Sequence, residues 1–318
     1  MNIGIPFNLN QLISKNRLYV MGMAMISIML FHQPWLNGGF YDIMHCYGHW
    51  GVDVFLVISG FGIGHSLEKN DLHTFYKNRI KRIIPVCAIM GMVSLLCVFS
   101  GILDIPRKLF LALMPLSLHM WYIDAIIIYY ALSPILIRLT KKHGGLFLVL
   151  LVIVVFVLPK LFDLSCIWPI NWALDRLPAF CAGLYIYSKR EIIITYRLLL
   201  LSVVVVFLFF LAVNYGEQIG VKLTWRYFML LTAIPVFFYI VEVSSIFIRY
   251  IGLKSIIESF GKCSLEMYLV HAVIFNLMNK SIIDNSFVVF TTAVVISFSL
   301  AYMLRLLIEK FENKYYRK

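Results

Sequence analysis

Charge is scarce in this sequence. Asp, Glu, Lys and Arg make up 14% of its 318 residues, where a soluble domain carries about 25%. Acidic residues are the scarcer kind, 16 against 28 basic, for a formal net charge of +12. Cys-x-x-Cys pairs, internal repeats, low-complexity tracts and any polar stretch long enough for a soluble domain are also missing. The first apolar stretch runs into Pro34-Trp35-Leu36 instead of a small-residue cleavage site, so no cleavable signal is expected. What fills the chain instead is apolar: 61% hydrophobic residues and a mean hydropathy of +0.87. A water-soluble particle of this size cannot bury that surplus, which excludes a soluble enzyme, a disordered protein and a secreted disulfide scaffold. The sequence is that of an integral membrane protein.

A spanning helix needs about 20 mostly apolar residues. That rule gives ten candidate spans, at 18–34, 51–67, 82–101, 119–139, 145–159, 171–187, 195–214, 224–247, 262–279 and 286–306. The expected architecture is all-α, a polytopic bundle with residues 1–318 as one membrane domain. The apolar stretch from Leu109 to Leu118, bracketed by Pro106 and Pro115, reads as a short re-entrant or interfacial segment. With the N-terminus in the cytoplasm, most of the Lys and Arg residues fall in inner loops and tails, as the positive-inside rule requires. Both termini are then cytoplasmic, and the basic balance reflects orientation among membrane lipids, not a nucleic-acid partner. Four of the six cysteines (Cys87, Cys97, Cys181, Cys263) read as small core residues, while Cys46 and Cys166 fall in outer loops where a disulfide is possible.

Ionisable residues at membrane depth are costly, so each is a functional candidate. His32 closes the first span and Asp53 opens the second at a similar depth. The short loop between them makes the two helices antiparallel neighbours. A carboxylate beside an imidazole would fix its tautomer and raise its basicity, which suits a general base. Arg79 and Arg82, three apart in Phe75-Tyr76-Lys77-Asn78-Arg79-Ile80-Lys81-Arg82, share a helix face at the mouth of the third span, a spacing suited to phosphate groups. Glu266 and His271 lie five apart in the ninth span and are read as channel-lining. Asp175 and Arg176 read as a self-neutralising pair, and Asp124 and Glu242 stay ambiguous. His45 and His49 have i, i+4 spacing but no third ligand, so no metal site is expected.

Several segments in order resemble the acyltransferase-3 family, bacterial inner-membrane proteins that O-acylate cell-surface sugars. They are Gly22-x-Ala24…Leu30-Phe31-His32, Gly51-Val52-Asp53-Val54-Phe55…Ser59-Gly60-Phe61 and Phe75…Arg79-x-x-Arg82-Ile83-x-Pro85. Further along come Trp121-Tyr122…Tyr129-Tyr130…Pro134, Leu177-Pro178-Ala179-Phe180-x-Ala182-Gly183 and Ser264-Leu265-Glu266-Met267-Tyr268-Leu269-Val270-His271. The resemblance implies an O-acyltransferase, most simply an O-acetyltransferase, in the bacterial inner membrane. It has no permanently bound cofactor; acyl-CoA, presumed to be acetyl-CoA, is the donor and a cell-surface glycan or lipid-linked sugar the acceptor. By that analogy His32 is catalytic and Asp53 its supporting acid, with Arg79 and Arg82 on the donor phosphates. Ser59, Trp121, Tyr122, Glu266, Tyr268 and His271 would line the channel. His32 lies about 14 residues, roughly 21 Å, above the inner end of its span. The donor's pantetheine arm would have to climb that distance. The family's basic residue eleven positions before this histidine is Met21 here, and Arg17, one turn below, is placed to reach into the gap and join the donor site. Ile126 and Ile127 stand where some members carry an acidic pair. Two other readings remain open: a polysaccharide or lipid exporter, and a family member that has lost catalysis. Whether His32 is base or acyl carrier is likewise open.

Overall fold

The computed structural model describes residues 7–101, 121–161, 168–219, 226–279 and 283–316. Helices dominate: α1 (Leu9–His32), α2 (Phe40–Tyr47), α3 (Trp50–Lys69), α4 (Leu72–Phe99), α5 (Trp121–His143) and α6 (Gly145–Leu161). They continue with α7 (Trp168–Ser188), α8 (Tyr196–Ile219), α9 (Arg226–Tyr250), α10 (Lys254–Lys262), α11 (Ser264–Met278) and α12 (Ser286–Tyr316). One antiparallel pair of two-residue strands, β1 (Phe7–Asn8) and β2 (Ile193–Ile194), joins Phe7 to Ile194 and Asn8 to Ile193. An all-helical chain is what a bilayer demands, since each helix satisfies its own backbone donors and acceptors.

Among the described residues, four helices are both long and apolar enough to cross a membrane: α3, α4, α5 and Ser286–Phe311 of α12. Shorter apolar helices cover Gly145–Val155, Tyr196–Val205 and Ser264–Met278. Ten such spans were expected. The shortfall has a visible cause in α1, which is 24 residues long but carries Asn10, Gln11, Lys15, Asn16 and Arg17 in its first half. The two spans least regular in sequence are continuous helices: α6 starts directly after the turn at Gly144, and α7 runs through Pro178. Pro85 and Pro134 likewise sit inside α4 and α5, tolerable where neighbouring groups satisfy the freed carbonyl. Leu109 to Leu118 lies outside the described residues, as do Cys166 and the Cys46 side chain.

The chain forms two compact units. The first comprises Met1–Arg17, Asp53–Asp71 and Ile128–Lys254; the second comprises Leu18–Val52, Leu72–Ile127 and Ser255–Lys318. Each contains a helix crossing at which backbones touch. In the first unit a Cβ on Gly60 of α3 would fall 2.0 Å from the Phe180 carbonyl oxygen of α7, and one on Gly183 would fall 2.1 Å from that of Val57. In the second, Gly22 of α1 and Gly261 of α10 meet in the same way, at 1.9 Å from Ile257 O and 2.0 Å from Leu18 O. Small residues permit this approach, which supplies dispersion contacts where the hydrophobic effect between membrane helices is absent. Gly183→Ala must therefore push α7 off α3. We expect a loss of roughly 1–3 kcal/mol, read as a lower melting temperature of the purified protein in detergent; an unchanged melting temperature would contradict the crossing.

Side chains around these crossings are buried: Val57, Phe61, Phe180, Cys181 and Leu184 in the first unit, and Met25, Ile28, Phe75, Val86 and Met267 in the second. Outward faces are just as apolar, with Leu96 and Phe99 on α4, Phe207 on α8, and Ile246 and Phe247 on α9 all exposed. Such a surface is tenable against lipid and not against water.

Candidate active site

His32 is the last residue of α1 and is exposed. Its Nδ1 lies 3.0 Å from the Ile28 carbonyl oxygen one turn below. The next residue, Gln33, is fully buried and shapes the exit from the helix. Its Oε1 accepts the backbone N–H groups of Trp35 (2.9 Å) and Leu36 (2.6 Å), and its Nε2 donates to Leu36 O at 2.9 Å. The imidazole meets a second one. His271 Nε2 of α11 lies 3.4 Å from His32 Nδ1, with ring centroids 5.2 Å apart. His271 is 1% exposed. Rings continue from it: His271 to Tyr268 at 5.7 Å, Tyr268 to Tyr122 at 5.0 Å and Tyr122 to Trp121 at 6.3 Å. Four residues expected along a channel (Trp121, Tyr122, Tyr268, His271) thus form one aromatic wall ending at His32.

On the same helix, Glu266 is fully buried and takes both terminal nitrogens of Arg82 in a bidentate pair. Arg305 of α12 stands 3.7 Å from the same carboxylate and also donates to Glu309 at 2.6 Å. Two guanidiniums share the buried Glu266 carboxylate while Arg305 also bonds Glu309, so two cations meet two carboxylates, and a carboxylate buried this deep is tenable only when paired. Arg79 lies over the Phe75 ring, 5.5 Å from its centroid. Arg82 is ten residues into α4, roughly 15 Å along its axis. Glu266 and His271, five residues apart on α11, are separated by about 7.5 Å of helix rise. The cationic cluster and the imidazole pair are therefore tied to one short helix, much closer than the climb of roughly 21 Å expected from α1 alone.

Asp53 has a partner that sequence reasoning did not assign to it. Sequence reasoning set it against His32; in the structure it accepts a 2.6 Å hydrogen bond from Arg176, both side chains being buried in the first unit. Arg176, read as neutralising its neighbour Asp175, reaches from α7 to Asp53 on α3. Nearby, Ser59 Oγ bonds Tyr130 OH at 2.9 Å, and Tyr129 donates to the Ala173 carbonyl. The Arg17 guanidinium rests against Gly62, 3.4 Å from where a Cβ would stand. Glu242 is held by Lys15 and Asn16, each at 2.5 Å. His45, half of the sequence's metal-like pair, sits with its Nε2 3.0 Å from Gln33 Nε2.

A family model described as an acyltransferase domain matches residues 19–306 of this chain. That span contains the aromatic wall, both histidines and all three clustered charges. The chain belongs to the acyltransferase-3 family. Curated relatives include O-acetyltransferase OatA of Staphylococcus aureus strains NCTC 8325 / PS 47 and COL, 32% identical over 130 residues. That alignment covers 35% of this chain and 20% of each relative, so the chain spans about a fifth of the length of the curated relatives it matches. No solved structure matches.

Within this member of the family, sequence reasoning missed three features. Arg305 drew no notice, although its i, i+4 partner Glu309 marked it as held. The bond from Arg176 to Asp53 was not foreseen. Gln33 drew no notice, since a glutamine at a helix exit carries no signal of its burial. A cleft of about 450 Å³ in the first unit, lined among others by Asn10, His65, Lys141, Tyr187 and Arg190, also had no counterpart in the sequence reading.

Proposed function

We propose that this acyltransferase is a ten-span O-acyltransferase with both termini in the cytoplasm, seated in the bacterial inner membrane. Its donor is cytoplasmic acyl-CoA, with acetyl-CoA the simplest choice, and its acceptor is a hydroxyl of a cell-surface or lipid-linked glycan. One observation carries this reading: an exposed imidazole, His32, is backed by His271, whose helix also carries Glu266, the carboxylate that gathers Arg82 and Arg305. The O-acetyltransferase name of the relatives supports the choice of acceptor atom.

In this scheme the acceptor hydroxyl gives its proton to His32 as its oxygen attacks the thioester carbonyl. The C–S bond breaks, and the departing thiolate takes that proton from the imidazolium, leaving an ester and free CoA. Arg79 and Arg82 receive donor phosphates, with Arg305 adding charge to the same cluster. In this scheme Trp121, Tyr122 and Tyr268 wall the route.

The test is transfer of label from acetyl-CoA into glycan by membranes containing the protein. Label that is absent favours the exporter or a member without catalysis. Arg17, sitting over Gly62, serves the donor in place of the basic residue lost at Met21. Arg17→Ala is expected to raise KM for acetyl-CoA about tenfold, the loss of one hydrogen bond to a charged group. Unchanged kinetics would remove Arg17 from the donor site.

A further inference from the structure

We infer that His271 is the positioning residue that fixes the tautomer of His32; this rests on the reading of His32 as the proton acceptor. The argument is a chain of donors and acceptors in the second unit. A backbone carbonyl can only accept. His271 Nδ1, 3.1 Å from Met267 O, must therefore carry a hydrogen and donate it. In the neutral ring the other nitrogen, Nε2, is then a bare lone pair. That lone pair is aimed at His32 Nδ1, 3.4 Å away. His32 Nδ1 also faces Ile28 O at 3.0 Å. Two acceptors converge on one nitrogen, so that nitrogen holds the hydrogen, and His32 Nε2 is left as the unprotonated base.

The opposite assignment meets acceptors at every joint. A lone pair on His32 Nδ1 would face the Ile28 carbonyl and the His271 lone pair together. Turning His271 to its other tautomer would relieve that contact but would leave its Nδ1 lone pair against Met267 O in a site that is 1% exposed, where an unmade hydrogen bond is costly. The order Met267 O, His271, His32 thus runs one way only. When His32 takes a proton on Nε2, its Nδ1–H bond to His271 becomes charge-assisted and stronger, so the second ring also steadies the imidazolium. This is the office that sequence reasoning gave to Asp53. A neutral imidazole performs it without adding a second charge to the membrane interior, which would be costly. The rings Tyr268 and Phe275, 5.7 and 5.5 Å from His271, hold it in place.

The test uses full-length protein in lipid nanodiscs with 15N-histidine, the His32 signals being those lost in His32→Gln. Wild-type His32 is expected to show a protonated Nδ1 and a bare Nε2. His271→Phe and His271→Leu remove one of the two acceptors on His32 Nδ1 and leave Ile28 O; both are expected to let a second His32 tautomer appear beside the first and to lower kcat about tenfold or more, with KM for the donor little changed. His271→Gln, which returns an acceptor at the same reach, should restore the single tautomer and bring kcat back toward the wild-type value. Melting temperatures of all variants separate misfolding from chemistry. A wild-type His32 protonated on Nε2, or one whose tautomer is unmoved by His271→Phe and His271→Leu, overturns the inference. A single Nδ1–H tautomer that mixes in those variants, in a protein that transfers no acyl group, upholds the pair and sinks the proposed reaction instead.

Discussion

His32→Ala is expected to lower acetyl transfer from acetyl-CoA to glycan by about 10³-fold, the middle of the range for removing a positioned general base. Folding should be little affected. The side chain is exposed at the last position of α1, and the turn that follows is built by Gln33, not by His32. Loss of activity with an unchanged melting temperature is therefore the signature of chemistry. His32→Gln offers a finer readout, because it keeps polarity and approximate size but cannot take a proton at neutral pH. If either variant transfers label at more than a tenth of the wild-type rate, His32 is not the base. The exporter reading predicts no transfer in any of the proteins, wild type included.

The second large effect concerns stability. Arg176→Leu leaves the Asp53 carboxylate buried without the guanidinium that donates to it at 2.6 Å, and removing one partner of a buried ion pair costs about 3–5 kcal/mol. We expect a sharply lowered melting temperature and poor recovery of folded protein. The pair itself is worth much less than that figure, since forming it also requires desolvating both charges. Arg176→Leu combined with Asp53→Leu should therefore recover most of the lost stability. A double variant as unstable as the single one would show the two side chains to be uncoupled. The same double variant also separates two roles of Asp53. Recovered stability with recovered transfer makes the carboxylate a brace between α3 and α7. Recovered stability without transfer returns Asp53 to the chemistry, as the family resemblance implies.

Much of this protein was legible in one dimension because the bilayer imposes one-dimensional rules. The scarcity of charge and the apolar runs required helices, and helices are what the chain forms. His32, Arg82, Glu266 and His271 stood out for being costly at membrane depth, and each proves to be paired or in contact with another polar group. Tyr122 and Tyr268 came from ordered motifs, and they meet ring to ring. Even the weakest spans, the short one after Gly144 and the one through Pro178, are continuous helices.

Partner choice was not legible, and the reason is geometric. A helix turns about 100° per residue, so sequence neighbours need not share a partner, while Arg82 and Glu266 meet across 184 positions. Sequence gave depth along each helix but not rotation about its axis, and depth alone made Asp53 the natural companion of His32. Close approach at glycines then set which faces touched: Gly60 against Phe180 fixed how α3 and α7 cross, and Asp53 met Arg176 between those same two helices. By itself the sequence determined the solvent, the secondary structure and the family. Only the tertiary structure decided which imidazole stands behind His32 and which charges neutralise one another, because those pairings depend on how helices distant in the chain are turned toward each other.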